Sequence, residues 1–220
     1  MKYNWYAIKL VIICVIIFIF QILYEPTIEE REIGITNPLT DEYALVSSEF
    51  LSRPWTIITY IFLHGGIEHL FYNMFALALF GSILEKVIGG KKFLITFFIS
   101  GIIAGLGSVL FYEASIGASG AIYGIFGALA ILRPRMTVYM SFVPMPMIVA
   151  VFLWAAGDLL GFFYPSENIA YSAHLFGLAF GLIYGFYLKK DYGETAKPKR
   201  KSIDIGEKEF RDWEDRWLIT

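Results

Sequence analysis

Six stretches of the chain are apolar for long enough to suggest helices in lipid: roughly 7–24, 67–88, 92–112, 118–132, 143–163 and 170–188. A spanning helix needs about 20 residues, and the fourth stretch is visibly short by that measure. The polar positions between them differ in sign from one connection to the next. Lys2 and Lys9 lie at the N-terminal side of the first stretch, Lys86, Lys91 and Lys92 between the second and third, Arg133 and Arg135 between the fourth and fifth, and Lys189 and Lys190 after the sixth. The alternate connections are acidic: Glu25, Glu29, Glu30, Glu32, Asp41, Glu42 and Glu49 against Arg31 and Arg53 in the first, then Glu113 and Glu167. The positive-inside rule predicts cytoplasmic N- and C-termini from this pattern. The exit of the first stretch, "LYEPT", lacks a small-residue cleavage pattern, which predicts a retained anchor instead of a signal peptide.

Composition points the same way. Of 220 residues 57% are hydrophobic and 17% charged, with mean hydropathy +0.59, so the bilayer is the expected solvent and partner. A net charge of −2 gives no reason to expect nucleic acid. Cys14 is the single cysteine, which excludes an intrachain disulfide and a cysteine metal cluster; neither a metal nor a cofactor is expected. The first outer connection, about 25–54, is long, and "LVSSEF" and "PWTIITYIFL" are expected to dip into the interface. The expected organisation is an all-α membrane core over 1–190 with six transmembrane helices, followed by a charged cytosolic tail over 191–220. No internal repeat of the transporter kind is evident.

One segment carries a chemical question. "SIGASGAIYG" sets Ser119 among Gly117, Gly120 and Gly124 at the start of the fourth stretch. Small residues let membrane helices pack closely and serine is common at such contacts, so a packing role is the ordinary reading. Depth favours another. Stretches two, four and six all run from outside to inside, so each is measurable from its cytoplasmic charges. Ser119 precedes Arg133 by fourteen residues, about 21 Å of helix, and His174 precedes Lys189 by fifteen, about 22 Å. Asn73 and His69 precede Glu85 by twelve and sixteen, or about 18–24 Å. Against a core of about 30 Å, all four groups lie near one level, a third of the way in from the outer face.

Glycine spacing brings two of those helices together. Ala173, Gly177, Gly181 and Gly185 recur at intervals of four on stretch six, as Gly120, Gly124 and Ala128 do on stretch four. Serine needs a base within hydrogen-bond reach to act as a nucleophile, and His174 is the candidate. The N-terminal end of the fourth helix favours an anion, and His69 and Asn73, sharing a face, add side-chain donors for an oxyanion. Tyr123, one turn from Ser119, is placed to stack beneath His174, although spacing alone fits an ordinary packed aromatic as well. Asp158 is expected to be structural or to bind water, with support of the base as the lesser alternative, His64 to be structural, and the catalytic group to be a Ser–His dyad.

The segments "HGGIEHLFYN", "GASG" and "AHLFGLAFG", in that order, closely resemble the rhomboid family of intramembrane serine proteases. The resemblance covers about residues 5–190. It implies a six-helix rhomboid-like bundle that hydrolyses peptide bonds in or near transmembrane segments of protein substrates. The integral membrane protein would be multi-pass, in the cell membrane, with its active site opening to the extracytoplasmic side. It implies Ser119 as nucleophile, His174 as general base, His69 and Asn73 as oxyanion residues, and Tyr123 as the aromatic on the base. Gly117 fits the small position before the serine, and Gly177 and Gly181 the packing glycines. A Trp-Arg pair common in the family's first outer loop is missing: Trp55 is followed by Thr56, and Arg53 precedes it. Two rivals remain at this stage: an inactive rhomboid-like binding module and a small transporter.

Overall fold

The computed structural model describes residues 4–26, 36–140, 142–164 and 169–194. In chain order its elements are α1 (Tyr6–Leu23), α2 (Pro38–Tyr43), β1 (Leu45–Val46), α3 (Thr56–Thr59), α4 (Ile67–Ile88), α5 (Gly90–Val109), β2 (Ala114–Ser115), α6 (Ser119–Leu132), β3 (Thr137–Met140), β4 (Val143–Pro146), α7 (Met147–Phe163) and α8 (Tyr171–Tyr192). Helix is the form in which an apolar segment satisfies its own backbone without water. Four helices, α1, α4, α5 and α8, are long and apolar enough to cross a membrane, while α6 and α7 are shorter apolar helices of 14 and 17 residues. Midway along α4 the winding widens to a π-type turn over Leu77–Gly81.

The shortness of α6 follows from where it sits. Every one of its residues is buried except Ser119 and Tyr123, because α4, α5, α7 and α8 surround it. A helix sheathed in protein has no need to match the thickness of the lipid. By contrast α1 exposes Ile12, Ile16, Ile19, Phe20 and Leu23, the surface a lipid-facing helix presents. The fifth apolar stretch begins later than its hydropathy predicts. Residues 143–146 are not helical but pair with β3 as an antiparallel hairpin, Thr137 opposite Pro146 and Met140 opposite Val143. Pro144 and Pro146 lack the N–H a helix interior requires, and Pro146 stands extended at ψ 144° as the residue before α7.

The α6–α8 contact is the most extensive in the fold, and the two glycine ladders form it. A Cβ added at Gly177 would overlap the Gly120 carbonyl, and one at Gly181 the Gly124 carbonyl. Ala128 packs against Gly185 a turn further along.

Two charged side chains close helix ends. Glu85, 2% exposed, accepts from the amides of Tyr6 and Ala7, both at 3.1 Å. It therefore caps the N-terminus of α1, where free N–H groups and the positive helix end favour a carboxylate. Arg133 donates to the carbonyl of Tyr192 at 2.6 Å and so closes the C-terminus of α8. Within the first connection α2 is capped by Asn37, which accepts from the amides of Leu39 and Thr40. β1 of that connection pairs antiparallel with β2, Leu45 opposite Ser115 and Val46 opposite Ala114. Lys2, positions 29–32, Glu167 and all of the expected tail beyond 194 lie outside the described residues.

Candidate active site

Ser119 is the first residue of α6, and three features fix the chain that delivers it. The β1–β2 pair holds Ala114 and Ser115, the Gly117 amide donates to the Tyr60 carbonyl at 2.8 Å, and the Tyr60 hydroxyl donates to the Gly101 carbonyl at 2.6 Å. Gly117 itself has φ +119°, a conformation that side chains resist. A Cβ there would also lie 2.7 Å from Cε1 and Nε2 of His69, so glycine is required for space as well as for backbone angle.

His174 occupies the first turn of α8. Its Nε2 is 2.8 Å from Ser119 Oγ, an ordinary hydrogen-bond length. Tyr123 stacks on the imidazole with ring centroids 4.3 Å apart and planes 9° apart. On the far edge of the ring, Nδ1 lies 3.3 Å from Oδ1 of Asp158 on α7. The phenol of Tyr123 also interacts with that carboxylate. Ser119 and His174 are half-buried and Asp158 is buried, so the serine and the imidazole are reachable while the carboxylate is not.

The α4 groups form the opposite wall. The Gly65 amide approaches His69 Nδ1 at 3.4 Å as a donor. A neutral ring accepting there carries its proton on Nε2, the atom that lies against Gly117. Asn73 is buried and gives one amide hydrogen to the His69 carbonyl at 2.8 Å, leaving its second donor free for another acceptor. His64 meets the His69 ring edge-on at 5.2 Å. Its backbone is clasped by Gln21 of α1, which accepts from the His64 amide at 3.0 Å and donates to its carbonyl at 3.4 Å. Burial first, and the neighbouring His69 second, push the His64 imidazole down to about 4, so it stays neutral at physiological pH.

Hydrophobic and polar features thus converge on the three motifs, and the sequence comparisons decide what they belong to. The family model for the Rhomboid domain matches residues 51–191, which include His64, His69, Asn73, Ser119, Tyr123, Asp158 and His174. The chain belongs to the rhomboid family. It is an integral membrane protein, as rhomboid membership and its apolar helices together require. It is 34% identical over 135 residues to YdcA of Bacillus subtilis (strain 168), covering 60% of this chain and 66% of that one. It is 30% identical over 159 residues to the mitochondrial Rhomboid protein 1 of Saccharomyces cerevisiae, covering 68% and 46%. Rhomboid protease GlpG of Yersinia pseudotuberculosis is 26% identical over 195 residues, covering 87% and 65%. The chain therefore spans less than two thirds of the length of each of these relatives.

Within this rhomboid chain the structure brings Ser119 and Tyr123 each against His174 and sets His69 beside Gly117. Gly120, Gly177 and Gly181 lie in the helix contact beneath them. It adds one group that sequence spacing misses. Asp158, expected first to be structural or to bind water and only as the lesser alternative to support the base, stands against the ring of His174. The one available signal is that Asp158 is the sole charged residue of α7.

Proposed function

We propose that the chain is an intramembrane serine endopeptidase, a hydrolase that cuts peptide bonds in or near transmembrane segments of protein substrates. The observation that carries this reading is the 2.8 Å contact between Ser119 Oγ and His174 Nε2. In the proposed reaction Oγ attacks the scissile carbonyl carbon as its proton passes to Nε2. The carbonyl oxygen becomes an oxyanion near the first amides of α6, where the side chains of His69 and Asn73 add donors. Collapse breaks the C–N bond, and His174 returns the proton to the leaving amine. Water then attacks the acyl-serine as His174 takes its proton; the bond from the acyl carbon to Oγ breaks, His174 returns the proton to Oγ, and the new carboxyl end is released. Ser119 and His174 act as a pair in both halves, and Tyr123 holds the base in plane.

All six apolar helices are read here as spans of one core over 1–190, in the cell membrane, with both termini cytoplasmic. Residues 191–220 form the cytosolic tail. Ser119 then opens α6 from the extracytoplasmic side, so water reaches it without crossing the bilayer. Two features support that orientation: the alternation of basic and acidic connections, and the common side on which Glu85 meets the start of α1 and Arg133 the end of α8.

The test is cleavage of a helix-destabilised transmembrane substrate by the purified chain in detergent. Wild type is expected to cut it. Ser119→Ala and His174→Ala are each expected to lose several orders of magnitude in rate while keeping expression and melting behaviour. Substantial cleavage by purified Ser119→Ala contradicts the proposal.

A further inference from the structure

Asp158 stands in a place where a carboxylate is costly. It is 7% exposed, on a helix that otherwise carries no charged side chain, in a chain surrounded by lipid. Burying an ionised carboxylate without partners is strongly unfavourable, and intramembrane acids persist where they pair or serve a site. Its Oδ1 is 3.3 Å from His174 Nδ1, on the edge of the ring opposite Ser119. That length is loose for a charged hydrogen bond, and contacts of this kind tighten when substrate is bound.

The ring has two freedoms that matter to a base. One is the tilt of its plane, which the parallel stack of Tyr123 restricts. The other is which nitrogen bears the proton of the neutral ring. If that proton sits on Nε2, the nitrogen facing Ser119 has no lone pair to receive the serine proton. A carboxylate at Nδ1 selects the useful tautomer, and it stabilises the imidazolium that forms when the proton moves. The tyrosine phenol, interacting with the same carboxylate, ties the two restraints together.

We propose that Asp158 is a positioning residue for the base, turning the Ser119–His174 pair into a three-group relay in which Asp158 Oδ1 accepts from His174 Nδ1–H and keeps Nε2 free for Ser119. The proposal rests on Ser119 and His174 being the reacting pair. No proton leaves the ring for Asp158: the serine proton moves to Nε2 and on to the leaving amine, and the carboxylate remains ionised throughout.

Ser119 and Tyr123 face His174 from α6 and Asp158 from α7. α5 carries its charges, Lys91 and Lys92, in its first turn, at the opposite end from the site. Asp158 is thus the anion that the described residues place beside the ring.

The experiment uses the full purified chain in detergent with a transmembrane peptide substrate, comparing wild type, Asp158→Asn, Asp158→Glu and Ser119→Ala. Asp158→Asn is expected to lower kcat by roughly 10–1000-fold with KM within about twofold. Asp158→Glu is expected to recover part of the rate. An Asp158→Asn enzyme within about twofold of wild type overturns the proposal, and so does a slower enzyme whose loss is shared by KM and which Glu does not rescue. Cleavage retained by Ser119→Ala would bring down the serine–histidine reading and this inference with it. Loss in Ser119→Ala beside an unaffected Asp158→Asn removes the inference alone. Should Asp158→Asn fail to fold, 15N-histidine spectra of the wild-type chain at pH 8, assigned by difference against His174→Gln, decide the matter. A neutral His174 protonated on Nδ1 is expected, and one protonated on Nε2 overturns the proposal.

Discussion

His174 is held on three sides, by a hydroxyl at Nε2, a carboxylate at Nδ1 and a tyrosine ring on its face. Two of those three neighbours were legible in the sequence. Ser119 could be matched to His174 by depth, since both are countable from basic residues at helix ends, and Tyr123 follows from Ser119 by one helical turn. Asp158 could not, because spacing rules relate residues within one helix and the connection from α7 to α8 resets the register. The proposed oxyanion donors bring an expectation of their own. His69 turns Nε2 toward Gly117, and Asn73 keeps one amide hydrogen to give. His69→Ala and Asn73→Ala should each lower kcat by roughly 10–1000-fold with little change in KM, the pattern of a donor used in the transition state. Steady-state kinetics on a peptide substrate reads this directly. An equal loss in Leu70→Ala, between them in sequence, would assign the effect to packing.

At the scale of elements, the contact between α6 and α8 is what lets a serine on one helix reach a histidine on the next. Its small-residue spacing was plain in the sequence, and the Gly120–Gly177 and Gly124–Gly181 approaches bear it out. Less was legible at the helix ends. Hydropathy runs unbroken through 143–146, yet two prolines and a pairing partner in 137–140 make that segment a strand. Glu85 reads as a flanking charge, whereas it is buried as the cap of α1; its partners are backbone amides, which no side-chain pattern reveals. Gly181→Val should push α8 away from the Gly124 carbonyl. Overpacking of this kind costs about 1–3 kcal/mol, and a displacement near 1 Å can cost about 100-fold in rate. Activity should thus fall further than the melting temperature in detergent, while Leu106→Val on the exposed face of α5 does little. Full activity with unchanged melting in Gly181→Val contradicts the role given to this contact.

At the scale of the whole molecule, the pattern of charged connections predicts which way the protein faces, and the fold supplies positions to check it. In a Cys14→Ser background, Ser52→Cys lies on the first connection and Thr137→Cys on the hairpin between α6 and α7, both exposed. A membrane-impermeant maleimide should label Ser52→Cys on intact cells and Thr137→Cys after permeabilisation; the reverse pattern inverts the topology. Orientation matters to chemistry because it decides from which side water and substrate reach Ser119. Whether that serine is an activated nucleophile is answered by intact-protein mass spectrometry after treating the purified wild-type chain with a fluorophosphonate. A single phosphonyl adduct on Ser119, formed by wild type and lost in His174→Ala, is the expected result. Absence of the adduct in folded wild-type protein, or its undiminished formation without His174, would contradict the reading of Ser119 and His174 as a reacting pair.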